Sequence, residues 1–197
     1  MLAAVILSAG ASSRMGRPKA LLPYREGTFL EHLIHVTRHP RIGVTRVVLG
    51  AGAEVIRTMA KLDPSIVVLN PDWEQGQLSS ICTGVRSLDG IDTDGMVLCP
   101  VDHPLVSAQL VSELVDRFYQ ERKAIVLPTF KGRRGHPAIF SSALYSELLA
   151  APADKGARVV VWEHSADVVE VPTDEEGVVL NLNDPEMLKR ALGTDAK

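Results

Sequence analysis

Short uninterrupted apolar runs recur along the chain, each followed by a stretch with helical spacing, and this alternation constrains the fold most tightly. The runs cover residues 3–7, 46–49, 66–69, 96–99 and 124–127. They are rich in Val, Leu and Ile with little polar alternation, the pattern of strands buried on both faces of a sheet. Between them, residues 28–38, 53–62, 77–88 and 107–121 carry the spacing of amphipathic helices. Thr28 and Glu31 stand three apart at the head of the first, as a capping box requires. A β-α-β-α rhythm of this kind predicts an α/β fold: a mostly parallel sheet with helices on both faces.

Beyond residue 128 the rhythm loosens. A loop rich in Gly and Arg at 131–135 precedes a short strand at 138–140 and helical stretches at 141–150 and 157–164. Two more short strands are expected at 168–171 and 178–180, and a last helix at 185–192. No repeat or linker interrupts the chain, so it reads as one domain over 1–192 with a frayed tail at 193–197.

Composition enters mainly as exclusion. Hydrophobic residues make up 46% of the 197, which supports a sizeable core and argues against disorder. With 21 Lys+Arg against 24 Asp+Glu the net charge is -3, so there is no basic excess to track a nucleic-acid backbone. The apolar start at 1–7 lacks a basic flank and is far shorter than the about 20 residues a bilayer span needs. It reads as the buried first strand of a cytoplasmic protein with no membrane partner. Cys82 and Cys99 sit in apolar segments without metal or redox spacing, and read as small buried hydrophobes in a reducing compartment.

The densest chemical signal follows the first strand. In an open α/β sheet, ligands bind beyond the carboxyl ends of the strands, where loops present unpaired N–H groups. Here the loop holds small residues from Ser8 to Ser13, glycines at 10 and 16, and three cations within six residues, Arg14, Arg17 and Lys19. Small residues let backbone approach a ligand, Gly10 and Gly16 allow positive φ, and backbone N–H groups can cradle phosphate oxygens. A solvated basic turn is the alternative; small residues, glycines and cations together favour an anionic ligand. A P-loop would need Lys directly after its second glycine, but Gly16 is followed by Arg17. A dinucleotide fingerprint could begin at Gly50-Ala51-Gly52, but its third small position is Val55. Asp102, just past the 96–99 strand, falls at the same sheet edge, where a hard oxygen could hold Mg²⁺ against a triphosphate. A lone turn aspartate before Pro104 is its plainer reading.

Five segments in order then resemble the MobA/MocA-like nucleotidyltransferases, over nearly the whole chain. The L-x-[A/G]-G-x-S-x-R-M-G-x-x-K signature runs from Leu7 to Lys19, and N-P-x-W-x-x-G-x-x-S-S from Asn70 to Ser80. The D-x-P turn is Asp102-His103-Pro104, G-R-R-G-H-P spans Gly132 to Pro137, and D-x-G-A-R spans Asp154 to Arg158. The resemblance implies a Rossmann-like three-layer α/β/α fold of the nucleotide-diphospho-sugar transferase type. It also implies transfer of a nucleoside monophosphate from an NTP to a phosphorylated acceptor. Ala9 before Gly10 and Pro18 before Lys19 look like the cytidylyltransferase branch, which implies CTP as donor and molybdopterin cofactor as acceptor, with a client molybdoenzyme downstream. The roles carried over are Arg14 and Lys19 on phosphates, Asp102 as catalytic Mg²⁺ ligand, and Leu7, Ala9, Gly10, Ser12, Asn70, Gly76 and Ser79 around the nucleotide. His136 is carried over as a contact to the acceptor, alongside a structural turn role.

The pattern breaks late. Where the family reads D-I-D, this chain has Asn181-Leu182-Asn183. An amide oxygen ligates Mg²⁺ without bringing charge, so either Asn183, with help from Asp184, is a weaker second metal ligand, which is the preferred reading, or the second contact is lost. The same asparagines leave room for a weakly catalytic chaperone that hands on cofactor, and the shared loop for a sugar-phosphate acceptor. His32, His35 and His39 could line one helix face, but without zinc spacing they read as amphipathic-helix surface. Trp73 and Trp162 read equally as packing or as stacking residues.

Overall fold

The computed structural model describes residues 1–183 and 185–192, without the side chains of Arg14, Pro185 and Leu192. Asp184 and the 193–197 tail therefore lie outside the described residues.

Strand β1 (Leu2–Ser8) leads through a long loop and the hairpin β2 (Pro23–Tyr24) and β3 (Gly27–Thr28) into α1 (Phe29–Val36). Then come β4 (Ile42–Leu49), α2 (Ala53–Met59), β5 (Val67–Leu69), α3 (Gln77–Arg86), β6 (Gly95–Pro100) and α4 (Ala108–Glu121). The last third holds β7 (Ile125–Phe130), β8 (Arg133–Arg134), β9 (Ala138–Ser141), α5 (Tyr145–Ala150), α6 (Arg158–Glu163), β10 (Val168–Pro172) and α7 (Pro185–Leu192). The main sheet runs β10-β7-β9-β6-β1-β4-β5, with β8 folded back onto β7. Along that path β9 runs antiparallel to both its neighbours, β6 and β7, while the other pairings are parallel. A mostly parallel mixed sheet is thus what the apolar rhythm produces.

Burial on both faces explains why these strands read as continuous apolar runs. In β1, Leu2 and Ile6 join the core under α1, α2 and α4, while Ala3, Val5 and Leu7 join the core under α3, α5 and α6. The same alternation divides β6, with Val97 and Cys99 on one side and Met96 and Leu98 on the other. Both cysteines are buried and unpaired, and burial alone pushes the Cys99 thiol up to about 12.

The helix starts follow the capping chemistry. Thr28 accepts from Glu31 N while the Glu31 carboxylate accepts from Thr28 N, a complete capping box. Ser107 caps α4 by accepting from Leu110 N at 3.0 Å. Chain order then creates the crevice. From β1 the chain steps outward to β4 and β5, then crosses back to β6 on the other side of β1. The loops after β1 and β6 diverge there, at a topological switch point.

Four expectations change. Residues 178–180 are not a strand: Glu176–Val178 is a 3₁₀ turn, with Val179 N donating to Glu176 O and Leu180 N to Gly177 O. The 131–135 loop contains β8, paired antiparallel to β7 through Thr129 and Phe130. β4 starts at Ile42, four residues earlier than its apolar run, because only its last three residues, Val47 to Leu49, are buried and so mark it in sequence. The histidines do not share a helical surface. His32 is buried, with Nε2 at 2.9 Å from Val106 O, and His39 lies beyond the end of α1.

Candidate active site

A cavity of 430 Å³ opens at the switch point, walled by the β1 loop, the start of α3, the β6 loop and the 181–183 segment. Leu7, Ala9, Gly10, Ser12, Lys19, Gly76, Asp102, His136 and Asn183 all line it. These residues come from five distant segments of the sequence; the fold gathers them.

Backbone geometry shapes the first wall. The left-handed residue in the β1 loop is Ser12, at φ 51°, rather than Gly10; Gly16, at φ 67°, is left-handed as expected. A Cβ at Gly10 would meet no protein atom within 4 Å, so glycine there leaves space open at the cavity wall. Gly50 has the opposite reason to be glycine: a Cβ would fall 2.6 Å from Ala9 O and from Trp73 Cβ. The loops after β1, β4 and β5 close-pack there, which accounts for the glycine without a dinucleotide. Ser12 Oγ accepts from Lys19 N at 3.1 Å, folding the loop so that the lysine returns to the cavity.

Lys19 meets two acceptor oxygens from distant segments. Its Nζ donates to Asn183 Oδ1 at 2.5 Å and stands 4.0 Å from Asp102 Oδ2. Both ionised side chains are mostly withdrawn from water, at 12% and 23% exposure, so their field is screened less than that of a surface pair. Leu182 N donates to Asp102 O at 2.8 Å, which ties the 181–183 segment to the β6 loop.

Beside them sits a pair the motifs had not marked as a unit. The rings of His103 and His136 lie 4.9 Å apart, and the Nδ1 of each is buried without a partner. Asn181 Oδ1 is a third buried orphan on the same wall. Buried polar atoms without partners are rare enough to point to a ligand. Asp102, Asn183 and Asn181 offer hard oxygens suited to Mg²⁺ or Mn²⁺. Among the described residues no three His, Cys, Asp or Glu side chains gather as a closed metal cage. The donor set therefore fits an ion that keeps part of its shell from substrate and water.

Asn70 and Ser79 stand outside this lining. Asn70 is 2% exposed and donates to Ser79 Oγ and Ser80 Oγ at 2.9 and 3.0 Å, while its Oδ1 accepts from Asp72 N. Its amide is fully used in joining the β5 loop to α3, and Ser80 is the member of that cluster that reaches the cavity. Trp73 also lines the cavity. Arg14 lies in the 3₁₀ turn Ser13–Met15, and its side chain is outside the description.

Burial, reinforced by the neighbouring His103, pushes His136 down to about 4, and burial lowers His103 as well. The folded state therefore resists a proton that the unfolded chain takes up below about pH 6.5. Stability contributed by neutral His136 is full above that value and is lost as pH falls toward 4. Urea unfolding should show a loss of about 2–3 kcal/mol between pH 7 and pH 4.5. His136→Gln should remove most of this slope; an unchanged slope would refute the assignment.

Residues 4–168 match the family model described as "MobA-like NTP transferase domain". The chain is 30% identical to nicotine blue oxidoreductase of Paenarthrobacter nicotinovorans over 95% of both proteins. It is 25% identical to the molybdenum cofactor cytidylyltransferase of Escherichia coli, covering 92% of this chain and 91% of that one. Among solved structures it superposes on Rv0371c of Mycobacterium tuberculosis with a TM-score of 0.83 at 28% identity, covering 98% and 99% of the two chains. A second structure of that mycobacterial protein is a complex with manganese.

Proposed function

The chain belongs to the MobA-like NTP transferase family, and from that premise we propose that it transfers CMP from CTP to the terminal phosphate of molybdopterin cofactor, releasing pyrophosphate. The observation that carries this is the convergence of Lys19, Asp102 and Asn183 on one cavity beside a loop of small residues. An acceptor phosphate oxygen attacks the α-phosphorus and forms the new P–O bond. The bond to the β-phosphate breaks, and its electron pair leaves with pyrophosphate. Little covalent work falls to the protein, so catalysis rests on positioning and charge neutralisation. The backbone N–H groups of the Ala9–Ser13 loop donate to phosphate oxygens, and Lys19 neutralises them. Asp102, with Asn183 as an uncharged second donor, would hold Mg²⁺, which supplies charge neutralisation on the phosphates when bound. CTP rather than GTP rests on Ala9 and Pro18, and on the cytidylyltransferase among the relatives.

The oxidoreductase name of one relative supports a second reading, a redox reaction in the same cavity. The packing role of Gly50 weighs against a standard nicotinamide site. One assay separates the readings: purified protein, Mg²⁺ and molybdopterin with CTP or GTP in turn, following pyrophosphate, beside a trial of NADPH consumption. Pyrophosphate release with CTP well above GTP is expected. Preference for GTP overturns the base assignment, and NADPH consumption without pyrophosphate overturns the transferase reading.

A further inference from the structure

Resting on the nucleotidyl-transfer reading above, we propose that α7 sets the register of the three segments carrying Lys19, Asp102 and Asn183, with Leu188 as its positioning residue, so that docking of α7 and binding of nucleotide are coupled. Besides the two large cores on the faces of the sheet there is a third, smaller one. Its buried members are Leu22, Phe29, Leu182 and Leu188, with Met15, Val101 and Leu105 packed against them. These positions are not scattered. Met15 and Leu22 flank Lys19, Val101 and Leu105 bracket Asp102, and Leu182 immediately precedes Asn183. Each of the three segments thus points a polar group at the first cavity and leaves an apolar neighbour in one shared core. Leu188, from α7, completes that core.

The anchors are tied to the groups they carry. Leu22 N donates to Lys19 O at 3.0 Å, and Leu182 N donates to Asp102 O at 2.8 Å. A shift of Leu22 or Leu182 within the small core is therefore passed to the place where Lys19 Nζ meets Asn183 Oδ1 at 2.5 Å and approaches Asp102 Oδ2 at 4.0 Å. Catalysis by positioning is sensitive to displacements of that kind. The helix acts through the core alone: among the described residues, none of α7 lines the first cavity. Leu188, 7% exposed, is its one buried side chain among those described, with Met187 and Ala191 half-buried beside it. Its Glu186–Arg190 pair lies on the solvent side and contributes little to docking. A helix held by one anchor opens locally far more readily than the sheet unfolds. Ligand that orders the three segments from the cavity side must then also hold α7 down, because such coupling is reciprocal.

Hydrogen exchange of the full chain reads the coupling directly. Peptides covering α7 should exchange about fivefold more slowly with CTP and Mg²⁺ than without, or with GTP should only that nucleotide bind. Peptides covering α5, which packs into the core under α3, should not change. By calorimetry, Leu188→Ala should weaken nucleotide binding about tenfold, and Leu188→Met, which nearly keeps the volume, should restore it. Leu148→Ala is the structural control, the same truncation at a fully buried position of α5. It should lower the melting temperature at least as far as Leu188→Ala does, yet leave nucleotide affinity within about twofold of wild type. Equal exchange of α7 with and without nucleotide, unchanged affinity in Leu188→Ala, or an equal loss of affinity in Leu148→Ala would each overturn the proposal. Wild-type protein that binds neither CTP nor GTP with Mg²⁺ sinks nucleotidyl transfer and the coupling with it. Nucleotide binding with a silent α7 sinks only the coupling.

Discussion

Replacing Asp102 by Asn is expected to lower pyrophosphate release on the order of 10³-fold while leaving the melting temperature within a few degrees of wild type. The substitution keeps size and shape and removes one charge. Its fold effect should be small because the structural bond at this residue is made by the main chain: Leu182 N donates to Asp102 O at 2.8 Å. Its catalytic effect should be large because the other candidate donors, Asn183 and Asn181, are neutral amides. Asp102 is then the one carboxylate among the three proposed metal donors, and the triphosphate brings several negative charges to the same space. Lys19→Met should produce a loss of similar size. The double variant should cost much less than the product of the two losses, since Lys19 Nζ lies 4.0 Å from Asp102 Oδ2 and the pair works on the same charge. Retained activity in Asp102→Asn, or independent effects in the double variant, would remove Asp102 from the proposed machinery. Asn183→Asp sharpens the point. It adds a charge beside Lys19 and should tighten metal dependence, read as a lower Mg²⁺ requirement for half-maximal turnover.

Much of this arrangement is legible in the sequence alone, and the reasons are local. The central strands announce themselves because helices cover both faces, so Val5, Val97 and Leu98 are all apolar in sequence and all buried in space. Helix starts announce themselves through side chains that bond their own neighbours, as Thr28 and Ser107 do. The β1 loop was legible because a cluster of small residues and cations just past a buried strand has few other uses.

What sequence reading misplaced depended on partners far along the chain. Val178, Val179 and Leu180 are apolar and suit a strand, yet the strand positions beside β7 belong to β8, β9 and β10. The segment instead turns over the sheet edge and buries Val178 completely. Asn70 follows a strand in a motif that suggests a ligand contact, but the nearby hydroxyls of Ser79 and Ser80 take its amide first. The histidine pair was invisible for the same reason. Residues 103 and 136 become neighbours only because β9 returns antiparallel beside β6. The signal that could have found His103 was its place beside Asp102, at the same sheet edge as the β1 loop.

That turning segment is the site of the second large effect, the substitution Gly177→Ala. A Cβ at Gly177 would lie 1.8 Å from Leu105 O and 2.6 Å from Leu105 Cβ, inside any tolerable contact and mostly against backbone. The main chain is not left-handed at Gly177, so the cost comes from close approach alone. Neither side yields easily. Glu175 receives Ser107 N at 2.9 Å and the Ser107 hydroxyl, Val178 O receives His136 N at 2.8 Å, and Leu182 N reaches Asp102 O. Any shift that relieves the methyl therefore displaces the loops carrying Asp102, His103 and His136. Overpacking of this kind costs about 3 kcal/mol, which for a chain of this size lowers the melting temperature by roughly 6–12 °C. Gly90→Ala provides the control. It is left-handed at φ 73° with open space around the new methyl, so it should cost only about 1–2 kcal/mol of backbone strain and leave turnover untouched. Gly135→Ala, whose Cβ would fall 2.4 Å from Val178 O, strains the same segment from the other side. Its effect should combine with that of Gly177→Ala in a non-additive way. Should Gly177→Ala melt with wild type and turn over normally, the 175–183 segment would not be what holds the two histidines and the carboxylate in register.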